Sequence, residues 1–209
     1  MPPPTTWQSL LDMPPLWRHD TLLATDKADR LLDCLEHELD WQQPRLTLFG
    51  REHPIPRRQV WMGDREARYR YSGHDFVPEP WHPEVARLAE RIAHALHTFG
   101  EVPRFNSVLL NRYASGAERM GWHSDDEPEL GQEPLIAAVS LGSERPLRFR
   151  WRDRRAPAFN VSLPHGSLPH GSLLVMGPGV QRQLQHALLP RTGHDIRISL
   201  TFRHIIVRH

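Results

Sequence analysis

The chain has 209 residues, enough for one domain with a sizeable core, and 39% hydrophobic with 24% charged residues is ordinary for a soluble globular protein. A formal net charge of +1 excludes a polycation, so any nucleic-acid surface must be a local patch. The single cysteine, Cys34, excludes an internal disulfide framework and a cysteine-rich zinc site, and no apolar run approaches the ~18 residues of a membrane span. Cys34 reads as a small apolar residue on a helix, and a reducing cytoplasm fits. Met1-Pro2-Pro3-Pro4 lacks the basic and apolar regions of a signal peptide.

Residues 1–20, rich in Pro and Trp, read as an irregular segment before a single domain spanning 21–209. Thr25 or Asp26 is placed to cap a helix carrying Leu31, Leu32, Leu35 and Leu39 at helical spacing. Short strands follow at Leu46–Gly50, Gln59–Trp61 and Arg68–Tyr71. Pro83 suits the first turn of a second helix whose stripe is Val85, Leu88, Ile92, Leu96 and Phe99, stopped by Gly100. Beyond residue 105 the pattern is strand after strand: 107–113, 134–141, 147–151, 158–163, 172–176, 183–189 and 196–207. Helices first and many short strands after them predict an α+β, mainly β fold: two helices packed on a jelly roll. Leu163-Pro164-His165-Gly166-Ser167 recurs at once as Leu168-Pro169-His170-Gly171-Ser172, a small duplication of the kind loops tolerate, which makes one of its histidines redundant.

The last strand is the most telling. Alternation puts Ile196, Ile198, Leu200 and Phe202 on one face and Arg197, Ser199, Thr201 and Arg203 on the other. Two arginines and two hydroxyls backed by an apolar face suggest a cradle for a small dianion. Asn111 and Tyr113 share a strand face and can hydrogen-bond a carboxylate. His123-Ser124-Asp125 sets an imidazole and a carboxylate two residues apart; among 14 histidines such a pair is as often a surface turn. His82-Pro83-Glu84 is a comparable pair that reads as a helix N-terminus. A third ligand would complete a two-histidine, one-carboxylate triad suited to non-haem Fe(II), with positions left open for a cosubstrate and oxygen. The candidates are His165 or His170, His186 and His194; His186, inside an apolar-flanked strand, is favoured.

With these residues in order, Asn111-Arg112-Tyr113, Gly116, His123-Ser124-Asp125-Asp126-Glu127, His186 and Arg197-x-Ser-x-Thr-Phe-Arg203, the chain resembles the AlkB family of Fe(II)/2-oxoglutarate-dependent dealkylases from about 48 to 205. Leu48-Phe49-Gly50, Tyr69-Arg70-Tyr71-Ser72-Gly73 and His170-Gly171-Ser172-Leu173-Leu174 are most similar to its duplex-DNA-repairing members. The resemblance implies a double-stranded β-helix with a nucleotide-recognition lid at about 44–75 and a core at about 105–207. It implies that His123, Asp125 and His186 ligate iron, and that Asn111, Tyr113, Arg197, Ser199, Thr201 and Arg203 line the 2-oxoglutarate site. It assigns substrate contacts to Phe49, Gly50, Arg51, Tyr69, Arg70, Tyr71, Asp126 and Glu127, with Tyr71 stacking on a flipped base and Phe49 filling the gap it leaves. Ser199 stands where the family usually has Asn, and the duplication is a second departure.

The residues themselves fit a base-flipping enzyme. Tyr69, Tyr71, Trp61 and Phe49 supply flat groups upstream of the metal motif. Arg51, Arg57, Arg58, Arg65, Arg68 and Arg70 lie in the lid segment, and Arg145, Arg154 and Arg155 flank Arg148, Arg150 and Arg152, which share a strand face as a phosphate-binding ribbon. The expectation is oxidative dealkylation of N-alkylated bases in DNA by a cytoplasmic monomer that uses Fe(II), 2-oxoglutarate and oxygen. The same chemistry on RNA or a protein side chain, a catalytically silent nucleic-acid binder and a structural zinc protein are the alternatives.

Overall fold

A computed structural model of the chain describes residues 6–48, 50–67, 69–71, 74–100, 104–153, 157–161, 168–193 and 195–206. In chain order the elements are β1 (Trp7–Leu11), β2 (Leu16–His19), α1 (Thr25–Glu38), β3 (Arg45–Leu48), β4 (Arg51–Pro54), β5 (Arg58–Gly63), β6 (Tyr69–Tyr71), β7 (His74–Phe76), α2 (Pro83–Leu96), β8 (Ser107–Tyr113), β9 (Met120–His123), β10 (Ile136–Gly142), β11 (Leu147–Trp151), β12 (Phe159–Val161), β13 (Ser172–Met176), α3 (Val180–Gln183), β14 (Leu184–Leu188) and β15 (Arg197–Arg203). Seven strands form a major sheet in the order β1-β2-β13-β10-β15-β8-β5, and four form a minor sheet in the order β12-β11-β14-β9. The hairpins β3–β4 and β6–β7 stand outside both sheets.

Alternation along β15 organises the major sheet. Its Ile198, Leu200 and Phe202 are fully buried and pack with Val108, Leu110, Val139 and Leu141 against the apolar stripes of α1 and α2, including Leu35, Leu88 and Ile92. Burial of each such side chain is worth about 1.5–3 kcal/mol. Arg112, on the same outer face, ties the sheet to α1 through Nε to Glu36 Oε2 at 2.7 Å. The inner face meets the minor sheet: Ile136, Ala138 and Leu174 share a second core with Phe149 and Leu184. Two antiparallel sheets closed over that core make the jelly roll.

The structure differs from expectation near the N-terminus. Residues 7–11 and 16–19 are not irregular; they form a hairpin that extends the major sheet through β2 and β13. Their aromatic rings explain this, since Trp7 is buried and Trp17 stacks on Phe99 at 4.6 Å. Helix α1 is capped by neither Thr25 nor Asp26. Ala24 is the N-cap, its carbonyl accepting from Lys27 and Ala28, because the buried Leu22 and Leu23 lead the chain straight into the helix. Helix α2 starts at Pro83 as read and ends at Leu96; Phe99 lies in a following 3-10 turn. Strands β4, β7 and β9 were not anticipated, being short and weakly alternating.

The second copy of the duplicated segment, from Leu168 to Ser172, lies within the described residues. Leu168 is buried, and His170 Nδ1 accepts the Gly142 amide at 2.7 Å. That leaves His170 Nε2–H to face Asp29 Oδ1 at 3.1 Å. Gly171 has φ +79°, and a Cβ there would lie 2.7 Å from the Leu23 carbonyl oxygen, so only glycine fits. His165, in the first copy, lies outside the described residues.

Candidate metal centre and its cradle

Strand pairing assembles the candidate metal site. In the minor sheet, β9 and β14 run antiparallel with His123 directly opposite His186. Their rings lie 4.2 Å apart between centroids. Asp125, just past the end of β9, turns back into the same space. One ligand atom from each of His123, Asp125 and His186 lies within 4.8 Å of the other two. Asp125 and His186 are buried, while His123 is part-exposed and gives the site its opening. His170 is spent on the Gly142 amide, and His194 lies outside the described residues, so His186 is the third member among the described histidines.

Neighbouring groups fix the donors. His123 Nδ1 is 2.8 Å from the Gly121 carbonyl, which can only accept, so the proton sits on Nδ1 and the Nε2 lone pair faces the site. Ser124 Oγ donates to the Leu184 carbonyl at 2.8 Å, tying the His-Ser-Asp segment to the strand that carries His186. Gln181, buried on α3, accepts the Asp125 amide on Oε1 at 2.9 Å. Arg203 Nη2 donates to Asp125 Oδ1 at 2.6 Å. Burial opposes ionisation of Asp125, but Arg203, His186 and His123 together hold its carboxyl below the usual range. Burial, and then His123, pulls His186 down to about 3, so its ring is neutral near pH 7.

This donor set fits a cation. Asp125 Oδ2 is buried without a hydrogen bond, and His186 Nε2 lies 3.8 Å from it, beyond hydrogen-bond reach. Two imidazoles and a carboxylate converging on one opening match the ligand types of a facial triad.

The anion cradle lies on the inner face of the major sheet. Gln59, Asn111, Ser199, Ser140 and Ser172 stand in register across five strands, a polar row through an otherwise apolar interior. One step along, Arg197 pairs with Tyr113. Arg197 is buried; its Nη2 donates to Ser140 Oγ at 2.8 Å, while Nε and Nη1 have no hydrogen-bond partner. Burial lowers its guanidinium to about 10, with Arg145 adding repulsion. Burial likewise raises Tyr113, which keeps its phenolic proton. A buried guanidinium with two vacant donor nitrogens, and no carboxylate partner among the described residues, fits a carboxylate ligand. Arg203 has a different place: it grips the Asp125 carboxylate, so the two arginines mark opposite ends of β15, roughly 20 Å apart by strand rise. Thr201 and Ser199, both half-buried, lie between them.

Several arginines first read as phosphate contacts are used internally. Arg145 is fully buried, donates to the Leu189 carbonyl at 2.8 Å and lies over the Tyr113 ring at 5.4 Å. Arg57 donates from Nε to Asn111 Oδ1 at 2.7 Å, so it serves the cradle rather than the surface. Arg150, on β11, lies 4.4 Å over Trp122 and donates to Gln185, and Arg152, just past the strand's end, donates to Asp126 Oδ2 at 2.6 Å. Arg150 and Arg152 are therefore not a free phosphate ribbon. Arg57, Arg145, Ser140 and Gln181 were missed as site residues. Arg57 lies two residues from Gln59, the register partner of Asn111, a neighbourhood that only the strand pairing reveals.

The substrate candidates are placed unevenly. Gly50 turns β3 into β4 with φ +75°, and Arg51 opens β4, exposed. Phe49 lies outside the described residues. Tyr69, Arg70 and Tyr71 form β6, and their side chains lie outside the described set. Glu127 is surface-exposed near Asp125; partial desolvation raises its carboxyl, with Arg203 partly opposing.

The 2OG-Fe(II) oxygenase superfamily model matches residues 17–203, which span both sheets and every residue of the triad and the cradle. The chain belongs to the 2OG-Fe(II) oxygenase superfamily. It is 34% identical over 208 residues to the DNA oxidative demethylase ALKBH2 of Mus musculus, covering 92% of this chain and 85% of the relative. It is 35% identical over 191 residues to the human alpha-ketoglutarate-dependent dioxygenase alkB homolog 3, covering 85% of this chain and 61% of the relative. Within the superfamily it is thus an AlkB-type oxygenase, a 2-oxoglutarate-dependent dioxygenase using Fe(II). The same fold occurs in a 2OG-Fe(II) family oxidoreductase from Burkholderia pseudomallei, with TM-score 0.63, 14% identity, and coverage of 93% of this chain and 88% of that one. It also occurs in OsALKBH1, with TM-score 0.61, 16% identity, and coverage of 90% and 96%.

Proposed function

We propose that this oxygenase is a DNA repair enzyme that removes N-alkyl groups, of the 1-methyladenine and 3-methylcytosine type, from bases. The observation that carries the reading is a His/Asp/His donor set joined by β15 to a buried arginine with two unbonded nitrogens, in a chain 34% identical to an enzyme named DNA oxidative demethylase. His123, Asp125 and His186 would hold Fe(II). Arg197, Tyr113 and Asn111 would hold one carboxylate end of 2-oxoglutarate, with Ser199 and Thr201 lining its path and Arg203 beside the metal. When bound, Fe(II) and 2-oxoglutarate supply the oxidation by dioxygen of the N-bound alkyl carbon, which departs as formaldehyde.

The chain's own residues then have definite tasks. Arg203 holds the Asp125 carboxylate ionised and aimed, and Gln181 fixes the backbone behind it. His186 keeps its lone pair because burial denies it a proton. Burial of the site between two sheets limits stray oxidation. A base inside a duplex cannot reach such a centre, so it must be unstacked and held between flat groups. Segment 44–75 would act as the lid: Tyr69 and Tyr71 contact the flipped nucleotide, Phe49 fills the gap, and Gly50, Arg51 and Arg70 lie along the strand. Asp126 and Glu127, next to the metal ligand Asp125, would read the edge of the base.

The test is incubation of the full chain with Fe(II), 2-oxoglutarate and oligonucleotides carrying 1-methyladenine or 3-methylcytosine, as duplex DNA, single-stranded DNA and RNA. Formaldehyde and restored base are expected on DNA, with Phe49→Ala harming duplex more than single-strand repair. Turnover confined to RNA, or none on any nucleic acid, would overturn the assignment.

A further inference from the structure

On the far side of the major sheet, away from the triad, a second group of ligand-type atoms converges. Cys34 and Glu38 sit one turn apart on α1, so they share a helix face. His82, the N-cap residue of α2, meets them. Cys34 Sγ is 3.3 Å from Glu38 Oε1 and 4.0 Å from His82 Nε2, and His82 Nε2 is 3.1 Å from Glu38 Oε2. With metal bonds of about 2.3 Å to sulfur, 2.0–2.1 Å to imidazole and 2.0 Å to carboxylate, the edges of a tetrahedral site come out at about 3.3–3.6 Å. The three observed separations, from sulfur to Glu38 Oε1 and to the imidazole and from the imidazole to Glu38 Oε2, lie within about half an ångström of those edges, and a turn of the carboxylate offers one oxygen to both.

We propose that Cys34, Glu38 and His82 form a second divalent-cation site, of the zinc type, that clamps α1 to the N-terminus of α2. Thiolate, imidazole and carboxylate together select Zn2+ or Co2+ over Mg2+ and Ca2+, which prefer all-oxygen sites. The fourth position has room for water, because the Glu38 side chain is 61% exposed. A groove of about 590 Å³ between the two helices gives access; Cys34 and Glu84 line it together with Lys27, Arg30, Arg87 and Arg91, of which Arg30 is paired to Asp26 and Arg87 to Glu84. The carboxylates near Cys34 act on its thiol: burial first, then Glu38, Glu84 and Asp33, pushes it up to about 11. The same carboxylates attract a cation, which replaces the thiol proton and releases it to solvent. The His82 ring must move its proton from Nε2 to Nδ1, giving up a long 3.3 Å bond from the Glu84 amide. Proton release makes binding stronger as pH rises.

Because Cys34 is the sole cysteine, sulfur-to-cobalt charge transfer can arise nowhere else in the chain. The experiment is a Co2+ titration of the full chain under reducing conditions, with far-ultraviolet circular dichroism to verify that each variant is folded. The wild type is expected to develop a saturable charge-transfer band that Zn2+ abolishes. Cys34→Ser should lose the band, and His82→Ala or Glu38→Ala should weaken binding at least roughly tenfold. Asp125→Ala should keep the band, separating this site from the catalytic one. No band at a Co2+ concentration that fills the triad would overturn the proposal. So would a band of unchanged affinity in both His82→Ala and Glu38→Ala, which would mark a simple thiol adduct.

Discussion

The two faces of β15 belong to one strand and obey opposite rules. Outward, Ile198, Leu200 and Phe202 are fully buried among helix side chains, and every group has its packing partner. Inward, Arg197 is just as buried yet keeps two nitrogens unbonded, and Asp125, held by Arg203, keeps one oxygen unbonded. The outer face therefore contributes stability, whereas the inner face holds unmet polar groups whose partners arrive as ligands. Buried polar atoms without partners cost free energy, so their concentration on one face locates the function.

This contrast makes separable predictions. The largest effect is on the outer face: Phe202→Ala should cost about 3–5 kcal/mol in urea unfolding while the folded fraction binds 2-oxoglutarate normally. The converse is Arg197→Met. It should weaken 2-oxoglutarate binding by about 2–5 kcal/mol in calorimetry with Mn2+ in place of Fe2+, without lowering the unfolding midpoint. Gln181→Met preserves volume but removes the acceptor of the Asp125 amide; metal affinity should fall about 10–100-fold in equilibrium dialysis.

Acid tests the inner face in another way. His186 has a folded value of about 3 against an ordinary 6.5, so between these values the unfolded chain takes a proton that the folded chain refuses. The stabilisation is complete above 6.5 and declines as pH falls toward 3. Urea midpoints of the metal-free protein should drop across that window, and less steeply in His186→Gln. The smallest effect belongs to Ser199→Asn. Ser199 lies between Asn111 and Ser140 in the polar row, so an amide there should shift 2-oxoglutarate affinity only modestly. A change as large as that of Arg197→Met would break the division of roles along the strand.

The alternation of β15 and the periodicity of α1 and α2 were legible because each face meets a single environment. The triad was legible from His123, Asp125 and His186, since a strand histidine flanked by apolar residues has few structural uses. The destinations of Arg57, Arg145 and Arg152 were not legible. A guanidinium on a long flexible stem reads the same in sequence whether it meets solvent, a carbonyl or Asn111, and only tertiary packing decides. Trp7 and Trp17 likewise turned a proline-rich segment into a sheet edge through contacts with Phe99, more than 80 residues away.

The most direct test of the central claim is mass spectrometry of a 1-methyladenine duplex after incubation with the chain, Fe(II), 2-oxoglutarate and oxygen, with succinate measured in the same tube. The account predicts adenine restored in step with succinate formed, and neither product with Asp125→Ala. Succinate formed without repair of the base, or repair that survives Asp125→Ala, would contradict it.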